Sequence, residues 1–121
     1  SDELKMAHCL NVSCSLSSYA SVVTSQGAGD WNSMTVGPDG MAVISYYDSF
    51  NGALEVAHCV NVACTLATTV DVDTLGLVGK HTSITIGADG LPLVVYHDAE
   101  SRNLKAAHCS NPRCTPNVRA R

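Results

Sequence analysis

Short stretches of alternating apolar and polar residues, each broken by a turn signal, run the length of this chain, and no segment longer than a turn carries helical periodicity. The clearest set lies in its last third. At residues 82–87 threonine and serine alternate with Ile84 and Ile86, which predicts a strand with one apolar face. The Ala88-Asp89-Gly90 turn follows, and Asp-Gly between apolar runs signals a hairpin. The next strand, residues 91–97, is apolar on both faces: Leu91, Leu93 and Val95 point one way, Pro92, Val94 and Tyr96 the other. Such a strand should be covered on both sides, with Pro92 tolerated near its start. A polar loop, 98–103, leads to a third strand at 104–109, and the turn between Cys109 and Cys114 leads to a short outer strand containing Pro116.

This pattern occurs more than once. Cys9, Cys59 and Cys109 are 50 residues apart, as are Cys14, Cys64 and Cys114, with no insertion or deletion. The same offset superposes LKMAHC (4–9), LEVAHC (54–59) and LKAAHC (104–109), lays SMTVGPDGMAVISYYD (33–48) on SITIGADGLPLVVYHD (83–98), and matches Gly29 with Gly79. A fixed period over most of a chain is the mark of a stacked or radial repeat. Four antiparallel strands per unit, A to D, with the middle ones covered on both faces, describe a propeller blade. A β-sandwich is the competing architecture, but its strands usually expose one polar face. The expected fold is therefore all-β and propeller-like: a half-blade at 1–26 and blades at 27–76 and 77–121, about two and a half per chain.

Propellers close with about four to eight blades, so uncovered faces predict that the ring is completed by oligomerisation. A homodimer would supply four whole blades and two halves, and is preferred to a trimer. The other reading of the count is a structural segment of a longer propeller.

Composition narrows the partners. Hydrophobic residues make up 45% of the 121 positions, enough for one domain with a core. No apolar run approaches a membrane span. The net charge of −4 without a basic block offers nothing to nucleic acid or an anionic bilayer. The chain opens Ser1-Asp2-Glu3-Leu4, without a signal peptide's basic and apolar regions, so any such leader would already be removed. Six cysteines in so small a chain point to an oxidising, secreted or periplasmic setting if they pair, and to the cytoplasm if they stay reduced.

The combination SxTxGxDGxPxxxYxD followed by LKxAHCxNxxC resembles the repeats of large, mostly uncharacterised secreted bacterial proteins thought to form β-propellers. The resemblance covers nearly the whole chain and implies fold and export; it brings no catalytic residues. Position 92 is Pro where its partner is Ala42, and Tyr47 gives way to His97, so blade positions drift.

Candidate chemistry is sparse. Each Cys-x4-Cys closes the hairpin between strands C and D, where partners lie within disulfide reach, giving Cys9–Cys14, Cys59–Cys64 and Cys109–Cys114. A zinc site shared with His8, His58 or His108 is opposed by geometry, because neighbouring strand residues face opposite ways. Those histidines share a face with Leu54 and Val56 or their equivalents, and are expected as hydrogen-bonded side chains between blades. No cofactor motif is present.

Strand order places the Asp-Gly turns and cysteine loops at one end and the longer D–A and B–C connections at the other, where function usually sits. That second end carries the candidate ligand-binding residues Trp31, His81, Tyr47, Asp48, His97 and Asp98. Trp31 would stack on a flat ligand such as a sugar, or else plug an inter-blade contact. Asp48 and Asp98 would receive ligand hydroxyls or do acid–base work, or else cap their own turns. The residues favour a non-catalytic binding module for carbohydrate or another small molecule. The alternative is a hydrolase or lyase with carboxylates near the ring axis, which requires a concave pocket and a strongly perturbed titration.

Overall fold

The computed structural model describes residues 3–24, 27–74, 76–111 and 114, and the backbone of 117–120. Pro116, expected in the last outer strand, lies outside the described residues. Among them are ten strands and no helix. Strands β1 (Leu4–Cys9) and β2 (Ser17–Val23) form a two-stranded sheet. Strands β3 (Asp30–Val36), β4 (Ala42–Asp48), β5 (Ala53–Cys59) and β6 (Ala67–Asp73) form a four-stranded sheet in chain order. Strands β7 (Val78–Ile86), β8 (Pro92–Asp98), β9 (Asn103–Cys109) and β10 (Asn117–Ala120) form another. Every pairing is antiparallel.

The sheets stack in chain order through two apolar layers. Leu4, Met6, Val22 and Val23 of the first sheet meet Ala42, Ile44, Tyr46, Ala57 and Cys59 on the rear of the middle sheet. Val43, Leu54, Val56 and Val72 on the front of the middle sheet meet Val78, Ile84, Val94, Tyr96 and Ala107 of the third. Each aliphatic side chain so buried contributes roughly 1.5–3 kcal/mol, which makes these layers the main source of stability. Strand β4 is buried at every position, because it is apolar on both faces and has a sheet on each. Its counterpart β8 has the same two-faced pattern, yet its burial alternates residue by residue, since its front is left uncovered. The sequence expectation of cover on both sides thus holds for β4 and not for β8 within one chain.

The repeated Gly29 and Gly79 explain how closely the sheets approach. Both have positive φ (100° and 114°), and a Cβ on Gly79 would meet Leu54 Cα at 2.9 Å, one on Gly29 the Glu3 carbonyl oxygen at 3.0 Å. Each inner strand therefore begins with its backbone against the preceding sheet, where only glycine fits.

Strand β7 starts at Val78, four residues before the alternation in sequence suggests. Its pairing continues through Val78↔Asp98 and Lys80↔His97 across a bulge before Ser83, and an extra residue breaks the two-residue period. The three expected disulfides are formed, each closing a hairpin between the third and fourth strands of its unit. Cys59, Cys64, Cys109 and Cys114 are fully buried, whereas Cys9 and Cys14 are exposed because none of the described residues covers the rear of the first sheet.

Candidate functional site

The bulges that disturb β3 and β7 fall at the same repeat position. Register shifts between Asp30 and Ser33 and between Lys80 and Ser83, and the first bulged residue in each, Trp31 or His81, has positive φ (53° and 54°). Bulky residues seldom adopt this region, and bulges re-aim side chains. Here they bring the Trp31 and His81 rings to 4.1 Å between centroids, across two neighbouring sheets. His97, paired across the ladder with Lys80, stands edge-on to His81 at 6.2 Å. Lys80 lies over the ring of Tyr47, its Nζ 5.6 Å from the centroid. Four of the six sequence candidates, Trp31, His81, Tyr47 and His97, are thus gathered into one strip. Trp31 is 49% exposed although it touches the next sheet, so it both contributes to the contact and offers a face to solvent.

The two aspartates are engaged elsewhere. Asp48 Oδ1 accepts from the Phe50 and Asn51 backbone N–H groups, and Oδ2 accepts from the Asn51 side chain at 2.6 Å. Burial opposes its ionisation, but these bonds hold its carboxyl below the usual range. Asp98 repeats the cap with Glu100 and Ser101, and its Oδ2 meets Lys105 Nζ at 2.9 Å. That ammonium, with the Ser101 bonds, lowers its pKa. Both aspartates start loops whose polar backbone needs a local acceptor.

Lys105 also lies 3.6 Å from Asp73 of the middle sheet, whose carboxylate accepts from the Tyr96 hydroxyl at 2.7 Å. At the equivalent position the middle sheet has Glu55. Its Oε1 accepts from the Tyr46 hydroxyl at 2.6 Å, and among the described residues no cation pairs with it or with its neighbours Asp48 and Asp71. Burial first, then these carboxylates, push Glu55 up to about 7. Burial, reinforced by the bond to Glu55, raises Tyr46 as well. A cavity of about 460 Å³ lined by Asp48, Glu55, Asp71, Phe50 and Asn51 opens here. Sequence reasoning missed Glu55, Asp71 and Lys80. The alternation Lys5, Glu55, Lys105 at one repeat position was the available signal for the first.

The histidines after the repeated alanine bond within their own sheets. His58 Nε2 is 2.9 Å from Asp39, and His108 Nε2 is 2.6 Å from Asp89. These aspartates belong to the Asp-Gly turns, and their bonds to the Met41 and Leu91 backbone, with the histidines' help, lower their pKa. The expected inter-blade hydrogen bond is therefore an intra-sheet one, although His58 lies on the face covered by the third sheet. With all six cysteines in disulfides, no thiolate stands beside these rings for a metal.

These features define an all-β repeat of stacked antiparallel sheets with an aromatic strip along its inner strands. No family model matches the chain, and no curated protein or solved structure is significantly similar to it.

Proposed function

We propose that this chain is a non-catalytic binding module of propeller-like blades, secreted into an oxidising setting, with a ligand surface on Trp31, His81 and His97. The observation that carries the reading is the pair of strained bulges, at one repeat position in two sheets, that hold an indole and an imidazole 4.1 Å apart. Backbone strain retained at equivalent positions is the kind that accompanies function. A half-exposed indole flanked by imidazoles suits stacking on the flat face of a sugar ring. The three disulfides support export. Leu104, exposed to 69% on the uncovered front of the third sheet, supports association of chains through like sheets, with the dimer preferred.

Trp31 is the sole tryptophan and so reports on its own site. Titration with soluble cello-, xylo- and chito-oligosaccharides should quench or shift its fluorescence saturably for at least one series. Trp31→Ala should remove calorimetric binding of that sugar while leaving the particle mass unchanged. A variant that loses assembly instead assigns Trp31 to packing, and silence across the panel rejects carbohydrate.

A second reading, a glycan hydrolase or lyase, is favoured by one observation: Glu55, its pKa pushed up to about 7 by burial, faces a cavity that also holds Asp48 and Asp71. It ranks second because Asp48 is committed to its own loop and Asp98 to Lys105. Release of reducing ends, abolished by Glu55→Gln, would reverse the order.

A further inference from the structure

The first sheet holds only the third and fourth strands of a unit, and three separate observations describe what the place of the other two would accept. Among the described residues strand β1 pairs with β2 alone, whereas its counterparts β5 and β9 are paired on both edges. Its second edge therefore presents unpaired backbone groups, the template for strand addition. Beside that edge lies an apolar floor. Met34 is 51% and Val36 56% exposed, while Ile84, at the position equivalent to Met34, is 6% exposed beneath the preceding sheet. Met34 pairs with Ile44, so it belongs to the face that the first sheet covers elsewhere. Finally, His58 and His108 each bond the aspartate of an Asp-Gly turn, at 2.9 and 2.6 Å, while among the described residues His8 has no side-chain partner.

We infer that this step is a docking site for a β-hairpin of the repeat's own first half, SxTxGxDGxxxxxYxD. The occupant follows from continuity with the interfaces already formed. In the middle sheet β4 pairs with β5 in the register Val43↔His58 to Asp48↔Ala53. A hairpin added to β1 in that register sets its second strand against residues 3–8 and brings the turn aspartate to His8. Its Ser and Thr positions then lie over Met34 and Val36, as Ser33 of β3 lies against β7, where its Oγ accepts from the Ile84 N–H at 3.3 Å. Backbone pairing supplies affinity, and the His–Asp pair fixes register.

The test uses the intact chain and a synthetic peptide of residues 33–48, which lacks tryptophan. Calorimetry should give saturable one-to-one binding, and hydrogen exchange should show new protection of the Leu4–Cys9 amides. His8→Ala should weaken binding about tenfold. A peptide with Asp39→Ala should bind as weakly, with no further loss when both changes are combined. His108→Ala should leave the affinity unchanged, and Met34→Lys should remove binding. Because a short peptide can self-associate, the same hairpin joined ahead of Ser1 by a flexible Gly-Ser linker provides a second measurement, in which β1 protection should appear and depend on His8. Absence of β1 protection in the linked form overturns the inference. So does peptide binding indifferent to His8 and Met34, or β1 protection that appears with chain concentration alone and marks pairing between copies.

Discussion

The middle and third sheets are two printings of one 50-residue unit, and they differ where their surroundings differ. Leu54 and Leu104 are equivalent by sequence, yet the first is wholly buried and the second 69% exposed, because a sheet lies in front of one and not of the other. Glu55 and Lys105 are equivalent by backbone and opposite in charge. Lys105 bridges Asp98 and Asp73 across the sheet boundary, whereas Glu55 adds a third carboxyl to Asp48 and Asp71 and has its pKa pushed up to about 7. The repeat fixes the scaffold, and the occupant of one rear-facing position decides whether a cluster is an ionic tie or a strained acid group.

Three measurements would break or sharpen this contrast. The largest effect is expected from Leu54→Ala, which should destabilise the chain by about 3 kcal/mol in denaturant titration through the cavity it leaves. Leu104→Ala should cost less than about 0.5 kcal/mol in a dilute monomer. If the front of the third sheet is covered by another chain, the Leu104 variant will instead lower the particle mass.

The next effect concerns pH. Glu55 has a folded pKa of about 7 against an ordinary 4.5, so the folded state binds its proton more tightly and stability falls as pH rises through that interval, remaining lower above it. Glu55→Gln should flatten this limb and, after a discount for the solvent that still reaches this half-buried carboxyl, stabilise the chain by about 2 kcal/mol at pH 8, with little change near pH 4. Asp98 has the opposite sign: its pKa is lowered, so its contribution is present above the ordinary carboxylate range and lost on acidification. Glu55→Lys, which copies the third sheet, should leave only the acid limb. A neutral limb that survives Glu55→Gln would assign it to another group.

The smallest effect is at Ser45, whose counterpart is Val95. Thr82 donates to Ser45 Oγ at 2.9 Å in a buried contact between sheets. Ser45→Val should cost about 1 kcal/mol by stranding the threonine hydroxyl, while Val95→Ser, on the uncovered front of the third sheet, should be near neutral.

Much of the fold was legible. The period, the Asp-Gly turns, the strand order and the cysteine pairing all follow from local rules: alternation sets strands, glycine sets turns, and a short Cys-x4-Cys hairpin leaves each cysteine one close partner. The candidate site was legible in part. Trp31, His81, Tyr47 and His97 stood out as varied residues at the loop end of a regular repeat, and they do come together. Asp48 and Asp98 stood out for the same reason but serve their own turns, because a loop's backbone amides are nearer than any ligand.

By itself the sequence determined the unit, since a two-residue alternation punctuated by turns and repeated in register admits few other local structures. Only the tertiary structure decided that the bulged rings of successive sheets touch, that Glu55 meets two further carboxyls while Lys105 bridges two, and that β8 is bare where β4 is covered. Each depends on which sheet stands beside which, and contacts between units 50 residues apart leave no mark in the periodicity of either.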